Sequence, residues 1–158
     1  MKDQFQPPTL LIVEDSDEYF EVLSRIITDA SDLELSIDRC IDGDDAIDYF
    51  HRDGIYANEI DRPNPDLVVL DLNLPGTDGR EVLMVIKTTP QLKTIPVVIL
   101  TTSSNPKDIE TCYQSGVNSY LLKPMKIDQL RSLVRILLDY WFKVTVLPTA
   151  SQGVGGRG

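Results

Sequence analysis

Long apolar segments and basic charge are both scarce in this sequence of 158 residues. No apolar run approaches the roughly 18 residues that a membrane-spanning helix needs, and residues 1–8, MKDQFQPP, lack the apolar core of a signal peptide. These two absences predict a cytoplasmic protein that has no membrane partner. The formal net charge of −10 argues against nucleic acid as a partner, because binding to phosphates needs a basic surface.

Cysteine is equally scarce, since Cys40 and Cys112 are the only two in the chain. They do not form a C-x-x-C pair, and both fall inside predicted elements rather than in a framework of loops. A disulfide or a shared metal site is the alternative interpretation. We favour two reduced thiols that are partly buried.

Five short apolar runs alternate with other segments along the chain. The runs at residues 9–13, 67–70 and 96–100 are continuously apolar, as in strands that are buried on both faces of a sheet. Residues 35–40 alternate apolar and polar side chains, which is typical of a more exposed edge strand. Residues 119–122 form the fifth run.

The segments between these runs carry apolar side chains at spacings of three and four residues, which predicts helices. We expect five helices, at residues 17–30, 44–52, 80–88, 106–116 and 127–143. Strands that alternate with helices predict an α/β fold, a doubly wound five-stranded parallel sheet with helices on both faces.

One domain accounts for nearly the whole chain. We expect residues 1–8 to be a disordered lead, residues 9–147 to form the domain, and the Gly/Ser-rich residues 148–158 to be a disordered tail. About fifteen residues follow Lys143, which are too few for a DNA-binding helical module. The sequence therefore predicts a protein that acts through one domain.

Charged and hydroxyl side chains follow four of the five predicted strands. They are Glu14 and Asp15 after the first strand, Asp71 after the third, Thr101 after the fourth and Lys123 after the fifth. Because the carboxyl ends of parallel strands share one edge of the sheet, we expect these side chains to meet. Three crowded carboxylates repel one another, and a hard divalent cation removes that cost. Since Mg²⁺ in proteins is usually held by carboxylates, waters and substrate phosphate, the pattern predicts a Mg²⁺ site that takes a phosphoryl group.

These residues belong to a larger set of motifs. The set comprises ED after the first strand, DLNLPGTDG at residues 71–79, a threonine after the fourth strand and KP after the fifth. It resembles the receiver domain of two-component response regulators over about residues 9–143, with every signature position filled. The resemblance implies the flavodoxin-like strand order 2-1-3-4-5, which would place Asp15 beside Asp71.

The resemblance also implies a role for each acid. Asp71 would be the phosphoacceptor, whose carboxylate attacks a phosphohistidine of a histidine kinase to form an aspartyl phosphate. Asp15 and Asp71 would bind Mg²⁺, with Glu14 acting through a water and Asn73 through its backbone carbonyl. Such a protein would catalyse only its own phosphorylation and dephosphorylation and would not be an enzyme with a separate substrate.

The remaining implied roles concern signalling. Lys123 would contact one phosphoryl oxygen, and the hydroxyl of Thr101 another. Tyr120 would rotate into the space that Thr101 leaves, which alters the surface formed by the fourth helix, fifth strand and fifth helix. In receivers the peptide bond before Pro124 is cis.

The last predicted helix has two apolar stripes. The first would face the core and consists of Ile127, Leu130, Val134, Leu137, Leu138 and Trp141. The second consists of Leu133, Ile136 and Tyr140. Because a helix with two apolar faces is often an interface, we expect homodimerisation or kinase docking here. Looser packing against the tail is the alternative.

Residues 140–148, YWFKVTVLP, support a closer resemblance. An aromatic cluster followed by V-x-L-P is similar to the end of the stand-alone response regulators of cyanobacterial phytochromes, and the long loop at residues 55–65 is similar too. This resemblance implies a light-regulated, phytochrome-type histidine kinase as phosphodonor and a symmetric dimer.

Of three other functions, two would require different residues or leave a different pattern. A phosphatase with an aspartyl nucleophile would carry D-x-D after its first strand, whereas here Asn73 stands two residues after Asp71 and the strand is the third. A degenerate receiver would have lost pocket residues, and none is lost. A phosphorelay intermediate or phosphate sink without its own output stays open.

Overall fold

A computed structural model of the chain describes residues 6–148. The strands are β1 (Thr9–Val13), β2 (Ser36–Cys40), β3 (Leu67–Leu70), β4 (Val97–Thr101) and β5 (Ser119–Leu122). The helices are α1 (Asp17–Ala30), α2 (Gly43–His51), α3 (Gly79–Thr88), α4 (Pro106–Gln114) and α5 (Ile127–Asp139). The strands form one parallel sheet in the order β2-β1-β3-β4-β5, which confirms the predicted fold class and strand order.

The sheet separates two apolar layers, and this explains the continuously apolar strands. In β1, Leu11 and Val13 pack into the layer beside α2, α3 and α4, whereas Leu10 and Ile12 pack into the layer beside α1 and α5. Strand β3 divides its side chains in the same way. Both faces of these strands are therefore buried, as is usual in parallel sheets.

The register of β1 and β3 sets the position of the acids. Val13 pairs with Leu70, and the Asp71 N–H donates to the Val13 carbonyl at 3.1 Å. Helix α3 begins against this strand end, where a Cβ on Gly79 would overlap the carbonyl oxygen of Asp71. Only glycine permits this approach. Asp78 caps α3 in a capping box with Glu81.

The end of the last helix differs from the prediction. Helix α5 stops at Asp139 and continues as a π-helical turn, Tyr140–Val144, rather than as α-helix to residue 143. Ile127, predicted to face the core, is 46% exposed because it lies in the first turn of the helix. Leu133 is partly buried against the α1/α5 layer, whereas Ile136 is 69% and Tyr140 52% exposed.

The structure also bears on the predictions for the chain termini and for the two cysteines. Of the segments predicted to be disordered, residues 1–5 and 149–158 lie outside the described residues, and the Pro8 carbonyl accepts the Ser36 N–H at 2.9 Å. Cys40 and Cys112 are both free thiols in the structure, and they are fully buried rather than partly buried as predicted. No helix within residues 6–148 is long and apolar enough to cross a membrane.

Candidate functional site

The three predicted acids meet at the carboxyl end of β1 and β3. Glu14 and Asp71 are buried, with 4% and 6% of their surfaces exposed, whereas Asp15 is exposed. One oxygen of each carboxylate lies within 4.8 Å of one oxygen of each of the others. Hard oxygen donors at this spacing suit a small divalent cation, so these residues fit a Mg²⁺ or Mn²⁺ ion.

Lys123 reaches this cluster from the end of β5. Its Nζ donates to Glu14 Oε1 at 2.8 Å and to Asp71 Oδ2 at 2.9 Å. Its backbone N–H donates to the Thr101 carbonyl at 2.8 Å, which extends the pairing of β4 with β5 by one residue. The hydrogen bonds between β4 and β5 thus fix the backbone position of Lys123.

Burial and hydrogen bonding act in opposite directions on the pKa values of Glu14 and Lys123. Burial raises the pKa of Glu14, although hydrogen bonds from Lys123 and from the Ser16 N–H work against that rise. Burial alone would lower the pKa of Lys123, but its hydrogen bonds to Glu14 and Asp71 raise the pKa above its ordinary value. The ammonium therefore stays charged at neutral pH.

The loop after β3 orients the carboxylate of Asp71. Its Oδ1 accepts the N–H of Leu72 at 2.7 Å and, more weakly, that of Asn73 at 3.4 Å. Its Oδ2 faces Lys123. Hydrogen bonds at both oxygens therefore fix the orientation of this carboxylate.

Thr101 and Tyr120 are connected through the loop that follows β4. Thr101 is fully buried, and its Oγ1 accepts a long hydrogen bond of 3.4 Å from the Ser103 N–H. The hydroxyl of Tyr120 donates to the Ser103 carbonyl at 2.8 Å. The two predicted switch residues therefore both bond Ser103, which the sequence did not single out.

Ser103 also anchors this loop to two helices. Its hydroxyl donates to Asp108 Oδ2 at 2.6 Å, and Arg80 donates to Asp108 Oδ1 at 3.0 Å and to Asp78 Oδ1 at 2.9 Å. Sequence reasoning missed this cluster, because acids and bases in the first turns of helices are common and give no signal of their own.

The expectation of a cis peptide bond before Pro124 is wrong for this structure. No peptide bond among residues 6–148 is cis. The trans form of an X-Pro bond is favoured by about 0.5–1 kcal/mol. With that bond trans, Lys123 already contacts both Glu14 and Asp71, so its contacts do not call for the cis form.

The sequence matches a known protein family. Residues 10–135 match the family described as "Response regulator receiver domain". The chain belongs to this family. The receiver is 41% identical to the response regulator Rcp1 of Synechocystis sp. (strain ATCC 27184 / PCC 6803 / Kazusa), in an alignment that covers 95% of this chain and 100% of Rcp1.

Solved structures agree with this assignment. The receiver superimposes on the crystal structure of the phosphorylated cyanobacterial phytochrome response regulator RcpA with a TM-score of 0.84 and 37% identity, covering 90% of this chain and 99% of RcpA. The Mn²⁺-bound form of Rcp1 gives a TM-score of 0.83 and 38% identity, with the same coverage. The predicted likeness to phytochrome response regulators is thus confirmed.

Proposed function

We propose that this receiver accepts a phosphoryl group on Asp71 from a histidine kinase, with Mg²⁺ in the acidic cluster, and signals through the surface of α4, β5 and α5. The observation that carries the proposal is the bridge by Lys123, whose Nζ joins Glu14 and Asp71 at 2.8 and 2.9 Å beside Asp15. A nucleophile, a fixed cation and an oxygen-rich cation site are thus in one place.

The chemistry is a transfer of the phosphoryl group between two residues. A carboxylate oxygen of Asp71 forms a bond to phosphorus while the bond from phosphorus to the kinase histidine nitrogen breaks, and the electron pair stays on that nitrogen. Negative charge develops on the phosphoryl oxygens, where the ammonium of Lys123 offsets it. No other substrate is turned over, so the protein acts as a phosphoacceptor and not as an enzyme.

The bound cation would supply further positive charge to the phosphoryl oxygens. Asp15 and Asp71 would hold it directly, Glu14 through a water, and Asn73 through its backbone carbonyl. The preference for Mg²⁺ follows from the all-oxygen donor set and the phosphoryl ligand.

Thr101 and Tyr120 would transmit the change. The phosphoryl group on Asp71 would carry about −1.5 to −2 units of charge in place of the single negative charge of the carboxylate, and it would draw the Thr101 hydroxyl away from the Ser103 N–H. Because Tyr120 is bonded to the same Ser103, a shift of this loop would release the tyrosine to turn inward. Leu122 and Met125, which are exposed at the end of β5 and after it, lie on the surface that would change.

We further propose that the phosphodonor is a phytochrome-type kinase, which is supported by the identity to Rcp1 and the likeness to RcpA. Histidine kinases make phosphohistidine from ATP, which supports a cytoplasmic location for the receiver. The net charge of −10 supports a protein partner over nucleic acid.

The decisive experiment is labelling with a small phosphodonor in the presence of Mg²⁺. We expect one acid-labile phosphate per chain, and Asp71→Asn should abolish it. Asp66→Asn is the matched control, because Asp66 is a half-buried carboxylate at the opposite end of the same strand, β3. Equal labelling of Asp71→Asn and the wild type would reject Asp71 as the acceptor.

We propose a homodimer through the last helix, where Ile136 and Tyr140 are exposed and Leu133 partly so. Light scattering should show a dimer for the wild type and a monomer for Ile136→Asp, with Leu133→Asp acting in the same direction. Met84→Asp, which places a charge on the exposed side of α3, should leave the dimer intact. A monomeric wild type, or a dimeric Ile136→Asp, would contradict the interface.

A further inference from the structure

The ammonium of Lys123 has a third neighbour, the aromatic ring of Tyr19. Lys123 Nζ lies 4.2 Å from the centroid of this ring, which is inside the range of a cation–π interaction. Tyr19 lies near the start of α1, where its N–H donates to Ser16 Oγ at 3.1 Å. The cap of the helix therefore helps to fix the position of the ring.

The hydroxyl of Tyr19 contributes no hydrogen bond to this arrangement. Its oxygen is buried and has no hydrogen-bond partner among the described residues. An unpaired buried hydroxyl is unfavourable, so the hydroxyl does not account for the placement of the side chain. The ring face, with its negative quadrupole, is the part of Tyr19 that acts on Lys123.

The Tyr19 ring is neutral, whereas the other two neighbours of the Lys123 ammonium are carboxylates, and this difference matters during phosphorylation. Glu14 and Asp71 both bond Lys123 through carboxylate oxygens. When Asp71 bonds to phosphorus, negative charge moves onto the phosphoryl oxygens and Lys123 must turn toward them. A neutral aromatic face can hold the ammonium near its place without competing for it as a carboxylate would.

We propose that Tyr19 is a positioning residue, which holds the Lys123 ammonium through its ring where the phosphoryl oxygens of Asp71 will form. This inference rests on the proposed function of Asp71. It adds to the receiver pocket a residue on α1, whereas the acids and the lysine come from strand ends.

The test compares three variants in phosphorylation by acetyl phosphate with Mg²⁺. Tyr19→Leu removes the quadrupole but keeps an apolar side chain, and we expect the maximal rate of labelling to fall about 5- to 30-fold. The donor concentration at half-maximal rate should change by less than about twofold, because the ring contacts Lys123 rather than the donor. Tyr19→Phe restores the ring without the hydroxyl and should recover the maximal rate.

Phe20→Leu is the matched control. Phe20 is the next residue on α1 and also lies beneath a cation, with the Arg39 guanidinium 4.8 Å from its centroid, but that cation does not contact the Asp71 carboxylate. Its maximal rate should stay near that of the wild type. In a Lys123→Gln background, Tyr19→Leu should cause no further loss, since the group that the ring positions is gone.

Several outcomes would overturn the inference. These are an unchanged maximal rate in Tyr19→Leu, an equal loss in Tyr19→Phe, or an equal loss in Phe20→Leu. Thermal unfolding confirms that each variant is folded, and Tyr19→Met replaces Tyr19→Leu if the latter is not. Failure of the proposed function has a different signature, because the wild type itself would then carry no phosphate on Asp71.

Discussion

Glu14, Asp15 and Asp71 form a cluster of three carboxyl groups, and the ammonium of Lys123 bonds two of them, Glu14 and Asp71. Burial already raises the pKa of Glu14, which means that its ionised form is costly in this place. One lysine cannot balance three ionised acids. A second cation in this pocket would therefore offset its excess negative charge.

Asp66 gives a prediction about pH. Burial raises the pKa of Asp66, although the Thr9 N–H, which donates to Oδ2 at 2.8 Å, works against the rise. For an acid whose pKa is raised on folding, the folded state binds the proton more tightly. Its contribution to stability is thus full below the unfolded pKa of about 3.9 and is lost as the pH rises through the folded value.

Asp66→Asn should therefore stabilise the receiver at neutral pH, because the amide oxygen still accepts from Thr9 without carrying a charge. We expect a rise in Tm of about 1–3 °C at pH 7, shrinking as the pH falls toward 4. Thermal unfolding between pH 4.5 and 8 measures it. A lower Tm at pH 7, or a difference that does not depend on pH, would contradict this assignment.

Only some residues of the site can be predicted from the sequence. Glu14, Asp71 and Lys123 were predictable because the end of a parallel strand fixes the edge to which its next residue belongs. Tyr19 was not, since a tyrosine on the inner face of a helix is ordinarily a core residue. Ser103 acts through its backbone as well as its hydroxyl, and backbone contacts leave no mark in the sequence.

Among the structural elements, the loop between β4 and α4 is held by several hydrogen bonds. Ser103 contacts Thr101, Tyr120 and, through its hydroxyl, Asp108. The carboxylate of Asp108 in turn pairs with Arg80 of α3 at 2.8 Å, and this pair, with the hydroxyl of Ser103, holds the pKa of Asp108 below its usual value. Ser103 therefore connects Thr101 to the ion pair between α3 and α4.

Asp108→Ala should free this loop. We expect faster amide hydrogen exchange at residues 102–107 and a fall in Tm of about 2–4 °C, which corresponds to about 1 kcal/mol for a partly exposed ion pair. Glu110→Gln, at an exposed position on the same helix, is the control and should change neither quantity. Unchanged exchange in Asp108→Ala would show that Asp108 does not restrain the loop.

The end of α5 marks the limit of prediction for elements. The bounds of the strands and of the first four helices follow from apolar periodicity to within two residues, but the end of the last helix does not. In the π-helical turn the Thr145 N–H donates to the Tyr140 carbonyl at 2.8 Å, a spacing of five residues. Trp141 is buried there while Val144 is exposed. The segment YWFKV is apolar almost throughout, so it carries no period that could reveal the change of pitch.

The net charge of −10 and the acidic pocket both affect the stability of the whole folded protein. Excess negative charge disfavours the compact state by self-repulsion, so any salt should stabilise the fold by screening. An ion that binds only the folded pocket adds a separate and saturable gain. The two effects can be told apart because screening depends on ionic strength, whereas binding depends on the three carboxylates.

Mg²⁺ should therefore raise the Tm more than NaCl of equal ionic strength. At ten times Kd the added stability is about 1.4 kcal/mol, or a shift of about 3–6 °C for a domain of this size. Asp15→Asn should lose this increment, while Asp29→Asn, which removes the same charge from an exposed position on α1, should keep it. If Mg²⁺ and NaCl act alike on the wild type, the acids do not bind the ion. If Asp29→Asn loses the increment as well, the gain belongs to the total charge and not to the site.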